Sequence, residues 1–355
     1  GFNEEISLFQ LNDHPKPEKM FNENYPFFTG SSEYMKKHFK NYANFLKKNY
    51  LSTNSKIIEI GSNDGTFLSN FDENINNTIG FEPSKNVADI ANKKRIPTLN
   101  CFFNKENTNQ IKNFLGKTDL ICASNVICHI PDLNNLIETV DILLSKNGTF
   151  IFEEPYLGSM FKKTSYDQIY DEHIYIFSAS AISKIFNKFN FDLIDILPQI
   201  THGGSMRYIL KRKGSSNISK NVKNIILDEK FNKLDTLESC LNFKKNCELS
   251  KINIVKKINE FKDKGKTICG YAATSKSTTI LNYCKINSKL IDYICDTTKE
   301  KIGKYSPGMH IPIVNMDYFY KNIPDSIYLF AWNHKEEIFK KEKQYKGEWF
   351  SHVAL

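Results

Sequence analysis

The stretch Ile57-Ile58-Glu59-Ile60-Gly61-Ser62-Asn63-Asp64-Gly65-Thr66-Phe67-Leu68 decides how the chain is read. Ile57 to Ile60 is an apolar run holding one acid, short enough for a buried parallel strand. Gly61, Asn63 and Gly65 then crowd a tight turn, and Thr66-Phe67-Leu68 opens what reads as a helix. Glycine suits this turn because the backbone bends sharply and a Cβ would block the close approach of a ligand. A strand, a glycine turn and a helix N-terminus together make a nucleotide-binding crevice in an open α/β sheet. Thr78-Ile79-Gly80-Phe81-Glu82-Pro83 reads as a second strand ending in a carboxylate, about 20 residues on, where such folds set an acid against ribose hydroxyls. A NAD site would use the same two features, so these residues alone leave the cofactor open.

Working outward, 355 residues predict about two domains, and an apolar share of 40% with 27 Phe and 17 Tyr supplies a core for each. No apolar run approaches bilayer-spanning length, and no signal peptide is visible. The eight cysteines are scattered without a Cys-x-x-Cys pair, as in a reducing, cytoplasmic protein without a structural metal. The net charge of +8 comes from lysines interleaved with Asp and Glu, not from a basic arm. That pattern argues against nucleic acid and would suit a substrate carrying a diphosphate.

Before the glycine turn, an irregular segment with Pro15, Pro17 and Pro26 leads to a helix expected from Ser32 to Tyr50, capped by Ser31 or Ser32. After it, strands are expected at 98–103, 118–123 and 149–153, with a helix over 133–145. Residues just past the C-terminal ends of parallel strands face the crevice, which places Asn125 and His129 there. A structural histidine is the alternative at His129. The chemistry-bearing stretch is Tyr166-Asp167-Gln168-Ile169-Tyr170-Asp171-Glu172-His173-Ile174-Tyr175. A histidine beside a carboxylate is a ready general base, and tyrosine hydroxyls can hold a developing oxyanion. A helix at 178–189 and a strand near 191–197 lead to Thr201-His202-Gly203-Gly204-Ser205-Met206-Arg207-Tyr208. Its glycines would let backbone N–H groups face an anion, with Arg207 as a bidentate fork, and a plain tight turn is the alternative. Residues 217–262 carry Leu234, Leu237, Leu241, Ile252, Val255 and Ile258 at helical spacing, a stripe expected to pack. From 267 an α/β pattern restarts, with strands at 267–271, 289–295 and 326–331. Gly270 and Asp296 stand where a NAD-binding unit would need them, but two of its three glycines are missing.

Glu59–Thr66 followed by Gly80-Phe81-Glu82-Pro83-Ser84 resembles the first two motifs of S-adenosylmethionine-dependent methyltransferases. More narrowly, the chain resembles the sugar C-methyltransferases that act on nucleotide-linked 4-keto-deoxy sugars. The likeness extends through Tyr25–Met35, Asn125–His129, the Tyr-x-Glu-His motif at Tyr170, Glu172 and His173, the run 201–208, Gly270–Lys276 and Lys304–Gly308. The resemblance implies a doubly wound Rossmann-like methyltransferase domain over 51–215, preceded by a lead-in and helix over 1–50. It further implies a helical linker over 216–265 and a smaller α/β substrate-binding domain over 266–355. S-adenosyl-L-methionine would be held by Gly61, Asn63, Asp64, Gly65, Glu82, Pro83 and Asn125, with Ser31 and Ser32 at its carboxylate. Tyr25, His202, Gly203, Gly204, Ser205, Arg207, Lys276 and Tyr305 would meet the sugar nucleotide. His173, steadied by Glu172, would be the base, with Tyr170 or His129 on the enediolate oxygen. Asp171 departs from the family, where many relatives have a second histidine. No Cys precedes position 101, and Ser7–Leu11 resembles the last strand of the family's N-terminal zinc module, so the expectation is either that the module was lost or that this chain is a truncated form. Methylation next to a ketone is therefore the expectation. O-methylation, or a non-catalytic nucleotide-sugar binding protein on the same fold, is the alternative.

Overall fold

The computed structural model describes residues 1–72 and 77–355. The chain forms two compact units, the first from Gly1–Tyr156, Ile174–Gln199 and Ser205–Asp235, the second from Leu157–His173, Ile200–Gly204 and Thr236–Leu355. The chemistry-bearing loop as far as His173 and the turn at 201–204, which the sequence reading put with the first domain, thus belong to the second compact unit.

In the first unit β1 (Phe2–Asn3), β2 (Leu8–Gln10) and β8 (Tyr175–Ile176) make a small antiparallel sheet. After the short α1 (Pro17–Met20), helix α2 (Glu33–Asn49) starts where Ser32 accepts a hydrogen bond from the Met35 N–H at 3.2 Å. Its apolar positions Phe39, Tyr42, Ala43 and Leu46 follow the i, i+3, i+4, i+7 spacing and are buried with Ile57, Phe67, Phe71 and Leu120. The main sheet contains β3 (Ile57–Ile60), β4 (Thr78–Phe81), β5 (Thr98–Leu99), β6 (Thr118–Ser124), β7 (Leu144–Pro155), β9 (Phe191–Gln199) and β10 (Ser205–Arg212). Its order is β5-β4-β3-β6-β7-β10-β9, parallel as far as β7, with β10 antiparallel to both neighbours. The order reverses between β3 and β6, so the ligand crevice of this doubly wound sheet lies beyond Ile60 and Ser124. Helices α3 (Lys85–Lys93), α4 (Thr108–Phe114), α5 (Leu133–Leu143), α7 (Ala179–Asn187) and α8 (Lys220–Phe231) complete the unit.

The helix expected to begin at Thr66-Phe67-Leu68 is found there as a 3-10 turn, Leu68–Asn70. Two local expectations change. The strand expected at 98–103 ends at Leu99, because Asn100 turns its side chain back to the carbonyls of Glu82 and Pro83 at 2.9 and 2.8 Å. The fifth strand is longer than 149–153, and helix α6 (Leu157–Lys163), unmarked in the sequence reading, follows it in the second unit.

Glu229, in the lysine-rich α8, is buried and serves the N-terminus of α7. Its carboxylate accepts from the N–H groups of Ala179 (2.7 Å) and Ser180 (2.8 Å), from Ser180 Oγ (2.6 Å) and from Tyr156 Oη (2.9 Å). Glu229→Ala would leave four buried donors unpaired and should cost about 3 kcal/mol or more in urea unfolding. A cost under about 0.5 kcal/mol would show that water replaces the carboxylate freely.

The second unit holds the 27-residue α9 (Leu237–Asp263). A parallel sheet follows, formed by β11 (Ile268–Tyr271), β12 (Tyr293–Cys295), β13 (Ile313–Val314), β14 (Ser326–Leu329) and β15 (Glu348–Phe350) in the order β13-β12-β11-β14-β15. Helices α10 (Ser275–Cys284), α11 (Met316–Lys321) and α12 (Lys335–Lys341) connect the strands. The apolar stripe expected to pack is divided: Leu234 and Ile258 are buried, but Leu237, Leu241 and Ile252 are exposed, because α9 buries the face carrying Phe243, Cys247, Ile254 and Phe261. Asp296 lies just past β12. Its carboxylate accepts from the N–H groups of Ala273 and Thr298, both at 2.7 Å, and a Cβ on Gly270 would lie 2.6 Å from the Phe330 ring. No helix among the described residues is long and apolar enough to cross a membrane.

Candidate functional site

The crevice of the first unit is built on the turn after β3. Gly61 and Gly65 have φ of +66° and +77°, in the left-handed region that favours glycine. A Cβ on Gly61 would lie 2.4 Å from Val126 Cγ2, and one on Gly65 would lie 2.7 Å from Ile96 Cδ1. Neighbouring side chains therefore require these glycines before any ligand does. Glu82, just past β4, is buried. Its carboxylate accepts from the Asn63 N–H at 3.1 Å and the Ser84 N–H at 2.8 Å. Burial pushes its pKa above the ordinary value, although these hydrogen bonds pull the other way. Glu59, inside β3, is held well above the usual carboxylate range by burial and by the charges of Glu82 and Asp64.

Asn63 and Asp64, expected at the cofactor, spend their side chains on the lead-in. Asn63 accepts from the Thr29 N–H at 2.9 Å and donates to the Phe27 carbonyl at 3.2 Å. Asp64 accepts from the Gly30 N–H at 3.1 Å and from Thr66 Oγ1 at 2.6 Å. Of the two serines, Ser32 caps α2 and Ser31 donates to the Phe28 carbonyl at 2.7 Å. Pro83 is half-buried beside Glu82. Tyr25 is half-buried too, its ring 5.4 Å from Phe21, and its carbonyl accepts from Asn86 at 2.9 Å.

Adjacent acids on β7 point to opposite faces and fix two sides of this unit. Glu153 takes His38 Nε2 at 2.6 Å and Arg207 Nε at 2.7 Å, while the guanidinium lies 3.8 Å over the Tyr42 ring. Burial pushes the Glu153 carboxyl up, but His38 and Arg207 bring it below its ordinary value. This corrects the reading of Arg207 as a diphosphate fork: it is buried and its fork is committed to Glu153. Glu154 accepts from the N–H groups of Val126 (2.9 Å) and Ile127 (2.7 Å), and so holds the loop carrying Asn125 and His129. Asn125 stands at φ +56° with its Oδ1 buried and unpartnered among the described residues. His129 stacks on Phe21 at 5.7 Å, and burial lowers its pKa to about 4, which keeps it neutral at pH 7.

Burial also raises Glu154 from about 4.5 to about 7, outweighing its hydrogen bonds. Between those values the folded state binds more protons than the unfolded one, so this group's contribution to stability falls as the pH rises through the window. Glu154→Gln should remove that fall and be the more stable protein at pH 8, by up to about 3 kcal/mol at 1.36 kcal/mol per pKa unit. Urea midpoints that keep the same gap at pH 5 and pH 8 would refute this.

In the second unit His173 is buried. Its Nδ1 lies 2.8 Å from the Gln168 carbonyl and its Nε2 lies 2.7 Å from Tyr170 Oη. A carbonyl can only accept, so Nδ1 carries the proton and Nε2 is the basic nitrogen, receiving the Tyr170 hydroxyl. The bond that orients the ring at Nδ1 thus comes from a backbone carbonyl, a part the sequence reading gave to Glu172, which is half-buried. His202, Gly203 and Gly204 all have positive φ, at +53°, +83° and +129°. The Gly204 N–H donates to the Thr201 carbonyl at 2.9 Å, and Lys163 donates to the Gly203 carbonyl, so this is a packed turn rather than an open anion nest. Lys276 is buried, while Tyr305 is 64% exposed. Ser205 lies in the first unit, at the start of β10.

Residues 32–196 match the family model of a methyltransferase domain, and residues 200–353 match that of the C-methyltransferase C-terminal domain. The two matches leave only residues 197–199 between them. The chain is an S-adenosylmethionine-dependent methyltransferase. C-methyltransferase NovU of Streptomyces niveus is 28% identical over 296 residues, which is 83% of this chain and 70% of NovU. Among solved structures, a SAM-dependent methyltransferase from Anabaena variabilis aligns at a TM-score of 0.39 and 20% identity, over 49% of this chain and 84% of that one. Another, from Clostridium acetobutylicum, aligns at 0.40 and 14%, over 52% and 94%. In the methyltransferase described here, the residues at the first crevice suit the cofactor. The turn at Gly61, the acid one strand over at Glu82 and the Oδ1 of Asn125, buried and unpartnered among the described residues, are the groups that would hold it, through backbone, a ribose acceptor and a polar contact.

Proposed function

We propose that the enzyme methylates the carbon next to the ketone of a nucleotide-linked keto sugar. The observation that carries this is the pair of half-buried Tyr170 and buried His173, in which a tyrosine hydroxyl meets the basic nitrogen of an oriented imidazole at 2.7 Å. S-adenosylmethionine supplies an electrophilic methyl on its sulfonium. His173 Nε2 takes the proton from the carbon, and the C–H electrons pass to the ketone oxygen as an enolate. The Tyr170 hydroxyl, released from Nε2, donates to that oxygen. The C=O bond would re-form as the enolate carbon takes the methyl, the S–C bond breaking to leave S-adenosylhomocysteine, and the proton would leave from His173 to water. The ketone is needed because it acidifies a C–H that a histidine could not otherwise remove. The match to a C-methyltransferase C-terminal domain supports carbon as the acceptor. The Tyr-x-Glu-His resemblance supports the nucleotide-linked sugar. A mass-spectrometric screen of nucleotide sugars with S-adenosylmethionine should find a keto sugar that gains one methyl, and NMR should place it on carbon. A methyl ether would leave the cofactor standing and overturn carbon transfer.

A further inference from the structure

In the second unit the strand order reverses at β11 and β14, and the crevice beyond their C-terminal ends is where an open α/β sheet binds a ligand. Here the protein fills that crevice itself. Trp332, three residues past β14, puts its ring 5.7 Å from Lys163 Nζ and 5.3 Å from Lys276 Nζ. A Cβ on Gly203 would lie 2.0 Å from the Trp332 ring, so the turn at 203 closes directly on it. Trp332 Nε1 donates to Asp167 Oδ2 at 2.7 Å. The other oxygen of Asp167 stands 3.1 Å from His352 Nε2, and both side chains are fully buried. His352 Nδ1 lies 3.0 Å from Tyr328 Oη.

We propose that Asp167, fastened by Trp332 and facing His352, is a positioning residue that sets the Gln168 carbonyl against His173. The inference rests on the reading of His173 as the base. A buried carboxylate is costly unless it is paired and hydrogen-bonded, and this one accepts from an indole N–H and stands 3.1 Å from an imidazole, both from residues more than 160 positions along the chain. Burial pushes its pKa up, yet His352, Lys276 and Trp332 bring it below the ordinary value, so the anchor is an anion at neutral pH. The peptide that follows Asp167 is gripped again where Thr279 Oγ1 donates to the Ile169 carbonyl at 3.1 Å. Gln168 lies between these two anchors, and its carbonyl is the one that holds Nδ1 of His173. Displacing a catalytic group by about 1 Å can cost about 10²-fold in rate. The second sheet therefore acts as the mount for the base.

The test uses the full chain, labelled with ¹⁵N-histidine and saturated with S-adenosylhomocysteine. In the wild type the Nδ1–H of His173 should give a proton resonance protected from water, identified by its loss in His173→Ala. Trp332→Phe keeps an aromatic ring but removes the donor to Asp167; Asp167→Ala removes the anchor. Both should lose the protected resonance. Both should also slow methylation of a nucleotide-linked 4-keto-deoxy sugar by about 10²-fold, with S-adenosylhomocysteine affinity within about two-fold of wild type. Asp167→Asn, which still accepts from Trp332, should recover part of both signals. The proposal is overturned if the resonance and rate survive in Trp332→Phe and Asp167→Ala. It is also overturned if cofactor affinity falls as far as the rate, since the residue then serves only the fold. A His173→Ala variant at full rate would instead sink the base assignment, while the resonance would still decide whether Asp167 positions the ring.

Discussion

His173→Ala should bind S-adenosylhomocysteine as the wild type does and yet fail to exchange the acceptor's proton. With a keto sugar and S-adenosylhomocysteine in deuterated water, methyl transfer cannot occur, but the base can still remove and return the proton next to the ketone. The wild type should place deuterium on that carbon. A positioned general base contributes about 10²–10⁴ in rate, so the exchange should fall by that factor in His173→Ala. Tyr170→Phe should slow it by about 10²–10³, the typical cost of one oxyanion donor, while leaving Nε2 intact. Exchange at the wild-type rate in His173→Ala would remove this histidine from the chemistry. An O-methyltransferase would show no exchange in any variant, because a hydroxyl proton leaves no mark on carbon.

Gly61→Val should abolish S-adenosylhomocysteine binding, but by a route the sequence does not reveal. A branched residue at this turn can be expected to block the ligand. The structure adds that the first atom it meets is Val126, 2.4 Å from the new Cβ, on a backbone at φ +66°. Left-handed strain costs about 1–2 kcal/mol and overpacking about 1–3 kcal/mol more, so the variant should also be less stable by about 2–5 kcal/mol. Val126 is tied to Glu154 through its N–H, so pushing it aside should move the loop carrying Asn125 and His129 as well. In a Val126→Ala background the packing part of the cost should disappear and the strain should remain. Calorimetry and urea unfolding on the two backgrounds separate the contributions. Equal destabilisation in both would show that Val126 yields without cost.

The mounting of His173 on the second unit also changes what truncation at about residue 265 is expected to do. Reading the C-terminal third as a substrate domain predicts weaker acceptor binding with cofactor binding spared. Removing it would also take away Trp332 and His352, leaving Asp167 a buried or newly exposed anion without partners. Loss of proton exchange, beyond the loss of acceptor affinity, is the expected result.

Much of the site was legible because its signals are local. The run Ile57–Ile60 with Gly61 and Gly65 announces a buried strand and a tight glycine turn, and both are found. The helix expected from Ser32 to Tyr50, with Ser31 or Ser32 as its cap, is α2, and the cap is Ser32. Glu82 at the end of β4 follows from strand length alone. In each case the deciding partners lie within a few residues, so the pattern contains its own outcome.

Tertiary structure alone decided which polar side chains are spent before any ligand arrives. Arg207 has the chemistry of a diphosphate fork, but Glu153, 54 positions away, takes it. Glu229 looks like one more solvated acid in a lysine-rich helix, until the N-terminus of α7 meets it 49 positions back. Leu237, Leu241 and Ile252 share their spacing with packed leucines, yet the opposite face of α9 found the core. Asp167 reads as one acid among several in a polar loop, and becomes an anchor only because β14 delivers Trp332 to it. Local sequence specifies what a side chain can bond with. Which bond it makes depends on the group that distant chain brings within 3 Å, and in a buried site the cost of an unpaired charge makes that encounter decisive.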